Sequence, residues 1–200
     1  MVDGEMISKE NITNWSQTLN MKEASLTTRF SFKNKLDVSY TFYALRNLPY
    51  VVLNDVIIEA KKEVALKVIN GISTSIEFKD DLSTYRVLKD LETYMPILQT
   101  VSKTKFNKHT IAASSTIIFN GEKQKLSHEI IDNKNHNVSF EKKLNKKEFL
   151  NFTLAGAICS TQDFEDPQSE SERFVIYTML NDIKSLVEKH KNDWETLWKG

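Results

Sequence analysis

The sequence holds one cysteine, Cys159, in 200 residues. A single thiol permits no internal disulfide, so no disulfide framework staples this chain. Cys159 sits in an apolar run and reads as a small buried hydrophobe. Glycine is scarce too, with five residues scattered along the chain. Phosphate-cradling loops need several glycines close together, because the backbone itself must approach the phosphate. Nucleotide-loop functions are thereby excluded. Gly-x-Ser-x-Gly is absent, which weakens a serine-hydrolase reading but leaves triads assembled from distant segments open. No charge of either sign is in excess: 27 Lys and Arg face 27 Asp and Glu. That balance gives no electrostatic case for nucleic acid or an anionic membrane surface. No apolar run is long enough to span a bilayer, and Met1–Glu10 lacks the apolar core of a signal peptide. A soluble chain is expected, with its compartment open.

Histidine is the remaining scarce ligand. His128-Glu129 and the segment from Asp132 to His136 form the densest grouping of metal-ligand types. Its spacing fits no standard zinc site, and a solvated hairpin end explains it more simply. No metal and no cofactor are expected.

The composition is otherwise ordinary for a globular protein, at 40% hydrophobic and 27% charged. Two hundred residues suit one domain with an appended helical segment. A chain of this length buries roughly 70% of its unfolded surface and needs no staple to fold.

The patterning divides the chain near residue 165. The expected fold is mainly β over 1–165, a large antiparallel two-sheet sandwich, followed by helices over 166–200. Asp166-Pro167 is a helix start, with Asp at the cap and Pro at the first helical position. Ser169 and Glu172 suggest a capping box one turn later. Leu180, Ile183, Val187, His190, Trp194 and Leu197 then recur at spacings of three and four, one apolar helical stripe. A break near Asn181-Asp182 is compatible with it. Trp194 and Trp198 load the last turns with apolar surface that needs a partner.

Before residue 165 the period is two. Leu26–Phe32 and Leu36–Ala44 alternate as a hairpin around Asn34-Lys35. Further strands are expected at 50–59, 64–69, 97–103, 110–119, 126–131, 137–144 and 149–159. Asn120-Gly121 reads as a hairpin turn. Residues 8–18 are polar and read as loop or a short helical turn, with Trp15 as their only large apolar anchor. Residues 79–95 mix charges with Leu82, Tyr85, Leu88, Leu91 and Tyr94, and read as a long excursion with a short helix.

That excursion carries the best candidate chemistry. Asp80, Asp81, Asp90 and Glu92 lie close to Tyr85 and Tyr94. Carboxylates beside aromatics suit sugars, which offer hydroxyls and an apolar face. Tyr85, Glu92 and Tyr94 are the candidate carbohydrate contacts. The plainer reading is a charged loop with two tyrosines tucked onto the sandwich.

Trp15-Ser16-Gln17-Thr18-Leu19-Asn20-Met21, followed by Leu26-Thr27-Thr28-Arg29-Phe30, resembles the N-terminal domain of family 65 glycoside hydrolases. That family includes maltose, trehalose and kojibiose phosphorylases and related α-glucoside hydrolases. Asn20 stands where the family usually has Asp. Tyr43-Ala44-Leu45 and Pro49 look like the next strands of the same domain. His190, Trp194, Leu197 and Trp198 resemble anchors on the helix leading into the family's catalytic barrel.

The resemblance implies a galactose-mutarotase-like supersandwich joined by linker helices to an (α/α)6 barrel. The general-acid glutamate and the phosphate loop would lie in that barrel, C-terminal to Gly200. The expectation is a non-catalytic N-terminal domain of a bacterial carbohydrate-active enzyme, cytoplasmic or periplasmic. The parent would be an inverting hydrolase or phosphorylase acting on an α-glucoside. The chain itself is expected to be inactive, with no catalytic residue of its own. Its partners would be the barrel, carbohydrate through the parent, and a second copy in a homodimer. Two other classes stay open: a stand-alone carbohydrate-binding sandwich, and a structural or dimerisation module.

Overall fold

The computed structural model describes residues 1–74, 77–89, 94–132 and 134–199. Among these residues it forms eleven strands and then two helices. The strands are β1 (Ile12–Asn20), β2 (Ser25–Phe32), β3 (Leu36–Ala44), β4 (Val51–Ala60), β5 (Val64–Gly71) and β6 (Phe78–Lys89). They continue with β7 (Tyr94–Thr104), β8 (Thr110–Phe119), β9 (Ser127–Ile130), β10 (His136–Leu144) and β11 (Phe149–Ser160). The helices are α1 (Pro167–Leu180) and α2 (Ile183–Lys199).

All strand pairings are antiparallel. Eight strands make one sheet in the order β1-β2-β3-β4-β11-β8-β7-β6, and three make a second in the order β5-β10-β9. Two meanders, β1 to β4 and β6 to β8, are joined by β11, which pairs with β4 on one side and β8 on the other. That central place explains the mostly apolar sequence of β11.

The large sheet carries the small sheet on one face and the helices on part of the other, in three layers. Between the sheets lies a core of Phe32, Leu36, Val56, Ile58, Leu98, Phe140, Leu144 and Phe152. On the opposite face Leu53, Ile97, Ala155 and Ala157 meet Val175 of α1 and Ile183 and Leu186 of α2. The small residues Ala155 and Ala157 let the helices approach the sheet closely.

Three local readings are corrected. Residues 12–18 are part of a strand, not a loop or a helical turn: β1 is an edge strand exposed along nearly its whole length. Ladder hydrogen bonds to β2 hold it, so its sequence carries no burial alternation. Residues 79–89 and 94–95 belong to the β6–β7 hairpin, not to a helical excursion. The register slips between Lys79 and Leu82, with Asp80 at φ 53°. From Leu82 onward the pairing is regular, but Leu82 and Leu88 are exposed while Ser83 is buried, so apolar residues do not keep to one face and their spacing imitates a helix. Asn120-Gly121 closes no hairpin: after β8 the chain crosses to the small sheet.

At the helices, Asp166 accepts a hydrogen bond from the Ser169 N–H, and Pro167 occupies the first turn. The Ser169–Glu172 capping box does not form, because Glu172 is buried and pairs with Arg86 of β6. The break falls at Asn181-Asp182, where Asp182 accepts from the Ser185 N–H and opens α2.

Candidate functional site

The four anchors on α2 divide into an inward pair, His190 and Trp194, and an exposed pair, Leu197 and Trp198. His190 is fully buried. Its Nδ1 accepts from the Arg46 N–H at 3.0 Å, and its Nε2 meets the Ala24 carbonyl at 3.3 Å. One imidazole thereby ties α2 to the β1–β2 turn and to the loop after β3. Ala24 sits at φ 46°, so its carbonyl is aimed by an unusual backbone. Tyr43 meets the His190 ring edge-on at 5.8 Å. Trp194 is half-buried beside His190, with the Arg46 guanidinium 5.6 Å above its ring. Leu197 and Trp198 are 49% and 56% exposed. The Trp198 Nε1–H donates to the Met21 carbonyl at 3.2 Å. Met21, 63% exposed, extends this apolar end of the molecule.

The three candidate sugar contacts are placed differently. Tyr85 lies half-buried against the inter-sheet core, its ring stacked on His128 at 4.3 Å. Burial, then a hydrogen bond with Tyr94, raises its phenol well above the ordinary tyrosine range. Tyr94 is 43% exposed, at the mouth of a cleft lined by Met95, Pro96, Phe119, Gln124 and Met179. Glu92 and Asp90 lie outside the described residues. Of the remaining carboxylates there, Asp80 faces Lys103 at 3.6 Å and Asp81 accepts from the Thr74 hydroxyl.

The histidine grouping lies on the β9–β10 hairpin, but it is not simply solvated: His128 is half-buried against Tyr85. Asp132 accepts from the Lys134 and Asn135 N–H groups in the β9–β10 turn. His128 and His136 share a hydrogen bond at 3.2 Å. Burial, then the neighbouring His136, lowers the pKa of His128. Among the described residues no group of three His, Cys, Asp or Glu is placed to hold a metal ion. The Cys159 thiol is buried, and burial pushes it up to about 11, so it is no ready nucleophile.

Two features escaped sequence reasoning. The Arg86–Glu172 pair joins the β6–β7 hairpin to α1, and beside it Gln99 donates to Ser114 and to the Gln168 carbonyl. Its signal was a Glu on the buried side of α1. The helices also stop short of the lower half of their face of the sheet. There Phe149 and Ile57 are 61% and 40% exposed among polar neighbours. Phe149 opens a strand that is otherwise largely buried, so residue type alone does not mark it as exposed.

The described helices include none long and apolar enough to cross a membrane. Comparison with known proteins gives consistent results. The family described as Glycosyl hydrolase family 65, N-terminal domain, matches residues 1–197. A kojibiose hydrolase of Flavobacterium johnsoniae is 31% identical over 202 residues, covering 99% of this chain and 30% of the relative. A kojibiose hydrolase of Mucilaginibacter mallensis is 29% identical over 203 residues, covering 100% of this chain and 30% of the relative. The chain thus spans under a third of the length of both. A solved structure named as a kojibiose phosphorylase from human microbiome superposes with a TM-score of 0.75. It covers 94% of this chain and 25% of that one, at 9% identity, a likeness of fold alone.

Proposed function

The chain belongs to the glycosyl hydrolase family 65 N-terminal domain family, and from that premise we propose that it serves as the non-catalytic sandwich domain of a larger bacterial carbohydrate-active enzyme. The observation that carries this reading is coverage: the family matches residues 1–197, while the chain accounts for 30% of each kojibiose hydrolase it resembles. The parent would cleave an α-glucoside with inversion. Kojibiose is the first substrate to try, on the names of the relatives. Water and phosphate both remain candidate acceptors.

In this reading residues 1–165 are the sandwich, and residues 166–200 are the linker to the catalytic part. His190 and Trp194 lock the linker onto the sandwich. Leu197, Trp198 and Met21 keep an apolar surface for the catalytic domain, in keeping with their exposure. Tyr85, Glu92 and Tyr94 border the sugar pocket of the parent, with Tyr94 making the contact and Tyr85 supporting it from behind. A homodimer would use the sandwich edge.

The test is made in the full-length enzyme. Trp198→Ala with Leu197→Ala is expected to lower the melting temperature of the catalytic domain and kcat against kojibiose, with KM nearly constant. Tyr94→Ala is expected to raise KM instead. Unchanged kinetics and melting in both variants would remove the linker and pocket assignments.

A further inference from the structure

The helix-side face of the large sheet is half open, and its open half is built as a cleft. The strand register sets two rows of side chains side by side across β2, β3, β4 and β11. Ser31, Asp37, Glu59 and Phe149 form one row, and Arg29, Ser39, Ile57 and Asn151 the next. A bulge in β1 between Thr13 and Ser16 borders the cleft, and Asn14 and Ser16 line it. There Asn14 adopts φ 54°, and its amide donates to the Ser31 hydroxyl at 3.3 Å. Bulges re-aim side chains in this way at functional edges.

The polar groups are pre-set. Ser31 donates to Asp37 at 2.6 Å, and Lys61 pairs with the other Asp37 oxygen at 2.6 Å. Burial alone would raise the Asp37 pKa, but Lys61 and Ser31 outweigh it and hold the carboxylate ionised below its usual range. Asn14, Ser31, Asp37 and Lys61 therefore form one hydrogen-bonded chain along the cleft. Phe149 and Ile57 supply exposed apolar surface beside it.

A fixed polar chain against an exposed ring and an aliphatic side chain suits a ligand with hydroxyls on its rim and C–H bonds on its face. We propose that this open sheet face is a saccharide-binding surface, with Phe149 as the stacking platform and Asp37, Arg29 and Glu59 as hydroxyl partners. A protein partner fits less well. The middle of a protein interface is depleted of charge, and this cleft is lined by Arg29, Asp37, Glu59 and Lys61. The cleft is shallow and open to solvent, so affinity is expected in the millimolar range, with gain from repeated units along a polymer.

The inference rests on the cleft alone and not on the domain reading above. The 200-residue chain is run in native gels containing dextran, soluble starch or xylan, and titrated calorimetrically with isomaltotriose and maltotriose. Retardation by at least one polysaccharide is expected. Phe149→Ala and Arg29→Ala should each weaken it about tenfold, with melting temperature within a few degrees of wild type. Both side chains are exposed, so neither change threatens folding. Mobility unaffected by every polysaccharide would overturn the proposal. Retardation unchanged in both variants would do so as well. Concentration-dependent self-association, abolished by Phe149→Ala without sugar binding, would assign the face to a second copy and likewise overturn it.

Discussion

His190 spends both ring nitrogens on backbone groups from two separate loops, while wholly buried. Replacing it with Ala strands the Arg46 N–H and the Ala24 carbonyl and leaves a void. The expected loss is about 3 kcal/mol in chemical denaturation. Trp194→Ala should cost about 2 kcal/mol and Trp198→Ala under about 1 kcal/mol, following their burial. Equal losses at 194 and 198 would contradict this gradient. The three-and-four spacing made His190 and Trp194 legible as a stripe. It could not tell which would be buried, because that depends on where the β1–β2 turn comes to lie.

His128 gives a pH dependence with a definite sign. Its folded pKa is lowered, so the fold prefers the neutral ring. The unfolded chain then binds more protons as pH falls past the ordinary histidine value of 6.5. Stability is expected to drop between pH 7.5 and 5, and His128→Asn should drop less over that range. Melting curves of both proteins across the interval check it; parallel curves would refute it. Tyr85 stacks on this ring, so the same titration should appear in tyrosine fluorescence. The sequence placed Tyr85 and His128 in different segments, and only the packing of β9 against β6 unites them.

Among the elements, α1 and the β6–β7 hairpin are tied most directly by Arg86 and Glu172. The Glu172 side chain is 9% exposed and that of Arg86 55%. Arg86→Ala would leave a buried carboxylate unpaired, at a cost of about 3 kcal/mol. Adding Glu172→Leu should recover part of that loss. A double variant no more stable than Arg86→Ala would contradict the coupling. Asp166→Ala should cost about 1 kcal/mol through the lost cap. Asp166-Pro167 was readable from sequence because capping is local chemistry. The β6 strand was not, since its outward face carries Leu82 and Leu88 while Ser83 is buried, so the apolar alternation by which strands are recognised is absent. The β1 strand was missed for a different reason: an edge held by ladder hydrogen bonds has no hydrophobic pattern to read.

The whole molecule is a large sheet between a small sheet and a helical layer. Its mainly antiparallel character followed from period-two patterning, and the switch to helix from period 3.6. The division into eight and three strands did not follow, because β11 joins two meanders through contacts remote in sequence. The sequence likewise could not show that the helices cover only half of their face, leaving Phe149 and Ile57 in the open. The candidate sugar residues were chosen by type and proximity. The fold separates them, setting Tyr85 inward and Tyr94 at a cleft mouth.

The central claim is that this chain is a domain without catalytic machinery of its own. Inverting hydrolysis needs an acid and a base about 6.5–9.5 Å apart around an enclosed sugar, and phosphorolysis needs a phosphate cradle in place of the base. The most direct measurement incubates the purified chain with kojibiose, with and without phosphate, and follows glucose and glucose phosphate beside the full-length enzyme. The account predicts no product above buffer from the chain and turnover from the full-length protein. Product that co-purifies with the chain and disappears on substituting one of its carboxylates would contradict it.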